Sequence, residues 1–470
     1  MYILNVAYKR VCYYTNRSRY RPGKGRFLPE YIDPFLCTHI NYAFATMRND
    51  VIAPSDKHDE SRVTLYERVI DIKKQNPKLK VLLSVGGPAT PMKDVCTMLK
   101  SRSKRRKFVK SCITFLTGRN FDGLSLDFKY TGSRGSSYKK GFASLISKLS
   151  KAFKTDGKRR RRKSLLLTAA VPAKRTEIDS GYYVKYVCRK LDFVNVMTYD
   201  FHGSWEKRTG FNAPLDKRNK YKSNRRLNMK YAVRYWLRRG CNRRKLVVGM
   251  TTYGRSFKLK NAAISGVRAP CSGDPPKGEF TGKAGMYSYY EICRYFIKNN
   301  KHNVKWQRKQ KVPYVTKGNV WVGYDNEYSL EQKVRWLKHK RLAGWMVWKL
   351  DMDDFTGQFC GAGKYPLITR LNKALQGKYM RVTRYDCHTV TVTAHAHSKA
   401  RMHNTHASTH VNSCVVRHYG QHDMLLILAP SLYLYLYLVV WKLWCNNSAW
   451  QETNTAYYNC HDDISNKGSR

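Results

Sequence analysis

The chain has 470 residues, with 89 Lys and Arg against 32 Asp and Glu, a formal charge of +57. The length leaves ample material for a core and exceeds the ~250 residues of a closed (β/α) barrel; the charge says little about fold and favours polyanions, acidic matrix or anionic surfaces as partners. Thirteen cysteines without a metal-type Cys-x-x-Cys pair argue against zinc and for an oxidising compartment, although Met1 to Ala7 is too short, and lacks the basic leader, for a secretory signal.

In chain order, eight short apolar segments recur with helical patterns between them. They are Val11 to Asn16, Cys37 to Ala45, Val81 to Gly87, Phe121 to Tyr130, Leu165 to Pro172, Phe193 to Asp200, Leu246 to Gly254 and Gly344 to Asp351. Strands alternating with helices predict parallel βαβ units, and eight of them predict a closed α/β barrel, the (β/α)8 TIM barrel. In the fourth segment Leu124, Leu126 and Phe128 fall on one face while Ser125, Asp127 and Lys129 fall on the other. A polar row facing a barrel lumen needs partners or a ligand; the alternative for this pattern alone is an edge strand with one wetted face.

The interval from about 258 to 341 is too long for one crossover and holds its own strand-like runs, Gly285 to Cys293 and Val312 to Gly323. It reads as an inserted small α+β subdomain beside the mouth, within a domain spanning 8–377. Three basic runs stand out: Ser101 to Lys110, Lys158 to Lys163 and Arg238 to Lys245. The last two precede strands, which places them on the face opposite the mouth. Residues 378–470 form a His-rich, partly apolar extension holding nine of the 14 histidines, with no recurring ligand spacing. Its uncharged stretch, Met424 to Trp441, has the length of a membrane span, but Pro430 and the alternation from Leu432 to Leu438 suit a helix poorly.

From Val11 to about Leu375 the chain resembles glycoside hydrolase family 18, the animal chitinases and chitinase-like lectins. The matching stretches are Cys12-Tyr-Tyr-Thr-Asn16, Leu36-Cys-Thr-His39 with Tyr42-Ala-Phe-Ala45, Leu83-Ser-Val-Gly-Gly87, Met197-Thr-Tyr-Asp-Phe-His-Gly-Ser-Trp205, Tyr253-Gly-Arg-Ser-Phe257 and Met346-Val-Trp-Lys-Leu-Asp-Met-Asp-Asp354. The resemblance implies a barrel with an α+β insertion and a groove for chitin or N-acetylglucosamine oligomers. Active members carry Asp-x-x-Asp-x-Asp-x-Glu on the fourth strand, in which the Glu protonates the glycosidic oxygen and the last Asp holds the substrate's own attacking acetamide. Those four positions are Asp122, Ser125, Asp127 and Lys129 here, so the acid and one supporting carboxylate are absent and the expectation is a pseudoenzyme. A weakly active chitinase is the main alternative, and a basic scaffold protein is a third.

By the same resemblance, Trp348 is the floor of the central sugar site, and Tyr13, Phe44, Asp127, Met197, Tyr199, Asp200, Tyr253 and Arg255 line it. Arg17 and Pro88 stand where the family has tryptophans further along the groove, which implies weaker hold on long chains. Cys12 with Cys37 and Cys293 with Cys360 match family disulfides; Cys96, Cys112, Cys188, Cys241 and Cys271 have no assignable partner. Asn16-Arg-Ser18 and Asn446-Asn-Ser448 read as glycosylation acceptors if the chain is exported. The expected partners are chitin or chito-oligosaccharide and, through the basic runs, acidic polysaccharide or acidic matrix protein. A secreted, extracellular protein without metal or cofactor is expected, with neither nucleic acid nor membrane as partner.

Overall fold

The computed structural model describes residues 8–60, 64–128, 135–217, 225–298 and 303–377. Lys129, Asn446, the stretch from Met424 to Trp441 and the whole 378–470 extension lie outside them.

The chain enters on β1 (Lys9–Thr15) and β2 (His39–Arg48), the latter turning back through β3 (Val51–Pro54). Helix α1 (Leu65–Gln75), whose first turn is capped by the Thr64 hydroxyl accepting from Glu67 N at 2.9 Å, leads to β4 (Lys80–Gly86). α2 (Met92–Lys100) and α3 (Arg102–Gly118) precede β5 (Gly123–Asp127); α4 (Gly135–Arg159) precedes β6 (Leu166–Val171). α5 (Arg175–Gly181) and α6 (Val184–Lys190) then lead to β7 (Phe193–Val196), and α7 (Met229–Arg238) to β8 (Leu246–Thr251).

Only one residue separates β8 from β9 (Tyr253–Lys258), which leaves the barrel for a second sheet with β10 (Met286–Ser288), β11 (Val304–Gln307), β12 (Val312–Lys317) and β13 (Val320–Gly323). This five-stranded antiparallel sheet has the order β10-β9-β13-β12-β11. Helix α8 (Tyr289–Ile292) follows β10 directly, and α9 (Glu327–His339) returns the chain to β14 (Gly344–Trp348) before α10 (Pro366–Gln376). The barrel order is β1-β14-β8-β7-β6-β5-β4-β2, and β2 pairs with β1 to close it, every step parallel. These are the eight segments read from the sequence.

Alternation explains the layers. Cys12 and Tyr14 of β1, and Leu124 and Leu126 of β5, point outward into the main core beneath the helices. Val11 and Tyr13 point into the lumen, where they pack with Phe44, Phe193, Val247 and Met346. The run Gly285 to Cys293 corrects the sequence reading: it is strand only to Ser288, because the Ser288 hydroxyl and the Glu291 carboxylate cap each other's backbone N–H and start a helix. Val312 to Gly323 is a hairpin, β12 and β13.

Disulfides join Cys12 to Cys37 and Cys293 to Cys360, and a third joins Cys188 of α6 to Cys241 just past α7. Asn16 is buried, its amide donating to Asp59 at 3.0 Å and Ser55 at 3.0 Å. An asparagine so held has no free side chain for a glycan, which corrects the expectation for that triplet. No helix among the described residues is long and apolar enough to cross a membrane.

Candidate functional site

The motif positions around β5 that the structure describes divide between the two ends of the strand. Asp122 precedes it and lies at the face opposite the mouth, where its carboxylate accepts from Lys73 Nζ at 2.8 Å, Lys80 Nζ at 3.3 Å and Val81 N at 2.9 Å. It fastens α1 and β4 to the base of β5 and stands apart from the other predicted site residues. Ser125 and Asp127 point into the lumen and are 0% and 4% exposed.

Asp127 sits at the C-terminal end of β5, opposite Gly86 of β4. Gly86 has φ +117°, and a Cβ there would stand 2.2 Å from the Asp127 carbonyl oxygen; one at Gly87 would stand 2.5 Å from the Phe44 ring. Both glycines let the β4 turn close over the mouth. Below Asp127 the lumen carries a ring of buried polar side chains: Asn41, Ser84, Ser125, Thr168 and Asn195. Burial, then the charge of Asp127, pushes the Tyr13 hydroxyl well above its usual range, against the opposing pull of Ser125, Asn41 and Ser84. Tyr13 is therefore a neutral donor at any physiological pH.

The aromatic floor comes from β14, β1 and β2. Trp348 meets Tyr13 edge-on with ring centroids 5.0 Å apart and lies tilted beside Phe44 at 5.9 Å. Met197 and Tyr199 pack on the same cluster, and the Tyr199 hydroxyl approaches Met346 Sδ at 3.9 Å. Beyond Tyr199 the Tyr253 hydroxyl donates to Asp200 Oδ1 at 2.6 Å, and Arg255 donates to the same carboxylate at 2.9 and 2.7 Å. Burial followed by the Asp200 charge raises the Tyr253 hydroxyl. Burial alone would lower Arg255, but Tyr253 and Asp200 outweigh it and hold the guanidinium charged.

The structure thus gathers Tyr13, Phe44, Asp127, Met197, Tyr199, Asp200, Tyr253, Arg255 and Trp348 at one end of the barrel. A flat indole under carboxylate, hydroxyl and guanidinium groups suits a ligand with one apolar face and polar edges, the form of a pyranose ring.

Two features were missed in the sequence. Trp205, 55% exposed, lies over the Arg255 guanidinium at 5.1 Å and extends the aromatic surface outward; its place at the end of the stretch from Met197 was the available signal. Behind Trp348, buried Asp351 accepts from Arg21, from Lys349 Nζ at 3.0 Å and from the Thr15 hydroxyl at 3.0 Å. Burial lowers Lys349 to about 8 against the pull of Asp351. This cluster ties the turn after β14 to the end of β1. Arg17 and Pro88 are exposed and offer no flat ring.

Among known proteins, the model of "Glycosyl hydrolases family 18" matches residues 9–353. Chitinase-3-like protein 2 of Homo sapiens is 44% identical over 372 residues, 78% of this chain and 93% of its own. Among solved structures, human YKL-39, a pseudo-chitinase with retained chitooligosaccharide binding properties, superposes with a TM-score of 0.74 at 43% identity, covering 79% of this chain and all of its own. The immunomodulatory active chitinase of Trichuris suis gives 0.74 at 37% identity, covering 78% of this chain and all of its own.

Proposed function

The chain belongs to the glycosyl hydrolases of family 18, and from that premise we propose a secreted chitinase-like lectin that binds chitin or N-acetylglucosamine oligomers at the barrel mouth without efficient hydrolysis. The observation that carries the proposal is a combination: the aromatic floor and Asp127 are kept at the mouth, while in the sequence Ser125 stands at the position of the supporting carboxylate and Lys129 at that of the acid.

The chemistry follows from the proton. Cleaving a glycosidic bond requires an acid at the leaving oxygen; the family's substrate supplies its own nucleophile, so the proton is the main thing the protein must provide. An ammonium donates near neutral pH only when burial depresses its pKa by several units, which a carboxylate two residues away in the sequence opposes. It also repels the positive charge that develops on the sugar ring. Loss of a general acid costs about 10²- to 10⁴-fold, and that repulsion adds to the loss. Asp127, Tyr13 and Tyr199 are left to orient an acetamido group, and Trp348 to carry the ring above it.

Three disulfides support an oxidising, extracellular setting, including a chitin-containing matrix. The test is one preparation in two assays. Chitin beads should retain the protein, and a chitotriose substrate with a fluorescent leaving group should give no turnover above blank. Turnover that Asp127→Ala abolishes would establish a weak chitinase instead, and failure to bind chitin would leave a scaffold protein.

A further inference from the structure

The outer wall of the barrel, away from the mouth, carries a second concave surface. Helix α6 presents Lys185 and Arg189 one turn apart on an exposed face, with Tyr186 beside them and Tyr183, 42% exposed, just before the helix. Lys139 of α4 and Arg239, one residue past α7, complete a groove of about 460 Å³ whose lining includes four cations, three tyrosines and no carboxylate.

The positive charge of this groove is mostly unspent. Lys139 donates to the Asp179 carbonyl at 2.8 Å and stands 4.6 Å over the Tyr183 ring. Arg239 approaches the Asp179 carboxylate at 3.7 Å, but Arg175 and the Tyr235 hydroxyl already share that group. Lys185 and Arg189 have no ion pair among the described residues; Arg189 lies 5.6 Å over the Tyr186 ring. Four cations within one small concavity repel each other, so an anion bound there gains from all of them.

The walls are also fixed in place. The Cys188–Cys241 bond joins α6 to the turn that carries Arg239, and Lys245 Nζ donates to the carbonyls of Arg189 at 3.1 Å and Leu191 at 2.6 Å. Behind the groove Tyr182 packs edge-on against Trp236 of α7 and Phe142 of α4, at 5.6 and 5.3 Å. A groove held this way loses little freedom on binding.

We propose that this groove binds a segment of sulfated polysaccharide, at a site separate from the mouth. Lys and Arg match sulfate and carboxylate groups spaced along such a chain. The exposed Tyr183 ring and the half-buried Tyr186 ring offer faces to the sugars between them. A single-stranded nucleic acid also joins bases and phosphates, but the disulfides among the described residues favour an oxidising setting, the one in which sulfated glycans are found.

The test measures heparin octasaccharide binding to the full chain by calorimetry in ~150 mM salt, a concentration that screens diffuse charge. Lys185→Ala with Arg189→Ala should weaken binding about tenfold or more, and Tyr186→Leu about threefold. Arg243→Ala with Arg244→Ala removes the same charge from an exposed turn outside the groove and should change affinity by less than about twofold. All variants should keep wild-type affinity for an N-acetylglucosamine tetramer, which separates this groove from the mouth. Equal weakening by the two double variants, or no weakening by the first, would overturn the proposal. So would equal affinity for chemically desulfated heparin, or tighter binding of a thymidine 12-mer with the same dependence on Tyr186.

Discussion

Replacing Trp348 by Ala tests the mouth most directly, and its effect can be worked from the structure. The indole is held edge-on by Tyr13 at 5.0 Å and flanked by Phe44 at 5.9 Å, so one face remains to meet a ring. A fully buried aromatic covers about 150–250 Å², and one face of it roughly 80 Å². At about 25 cal/mol/Å² that contact contributes about 2 kcal/mol, or ~30-fold in Kd. Titration calorimetry with the N-acetylglucosamine tetramer should show that loss in Trp348→Ala and a smaller one in Trp348→Phe. Thermal unfolding, followed alongside, keeps lost packing on Tyr13 distinct from lost stacking on the ligand. A folded Trp348→Ala variant that binds within twofold of wild type would refute the assignment of the floor.

Other outcomes follow from the same geometry. Restoring both carboxylates, with Ser125→Asp and Lys129→Glu together, should raise chitotriose hydrolysis at least about 10²-fold; a silent double variant would show that the block lies elsewhere. Burial, then the charge of Lys9, lowers His39 to about 4, whereas an unfolded histidine titrates near 6.5. Between those values the unfolded chain binds more protons, so stability present above pH ~6.5 falls as the pH drops towards about 4, by at most about 3 kcal/mol. His39→Gln should flatten that slope in urea unfolding, and an unchanged slope would contradict it. The Lys333–Asp325 pair is fully buried, with Nζ 2.6 Å from the carboxylate. Lys333→Met should therefore destabilise by about 3–5 kcal/mol, and adding Asp325→Asn should recover most of that by removing the stranded charge.

What the sequence revealed and what it hid have physical causes. The eight barrel strands were legible because a strand buried on both faces reads as a short apolar run between helical patterns, as Leu246 to Met250 does; only where the lumen is polar, as at Leu124, Ser125, Leu126 and Asp127, does the run alternate. The mouth residues were legible through resemblance, since their side chains cluster only after six strands, distant in the sequence, converge. Asp122 was read as part of the motif, yet it stands one residue before β5 and turns its carboxylate to Lys73 and Lys80. The Ser288-x-x-Glu291 capping box was visible as letters, but the β-rich run around it masked the helix. Cys188 and Cys241, 53 residues apart, pair because the ends of α6 and α7 come together beside β7 and β8, a proximity that spacing alone cannot supply. Lys245 was counted as surface charge although it holds two backbone carbonyls.

The seam of the barrel has a consequence for synthesis. β1 hydrogen-bonds on one side to β2 and on the other to β14, and β14 emerges from the ribosome more than three hundred residues later. Until then one edge of β1 offers open N–H and C=O groups, the kind of template on which nascent chains stick to one another. The Cys12–Cys37 bond needs only the first two barrel strands, so oxidation can anchor the waiting strand long before its second neighbour arrives. A Cys12→Ser, Cys37→Ser variant should consequently lose yield to aggregation during expression more than it loses equilibrium stability once folded.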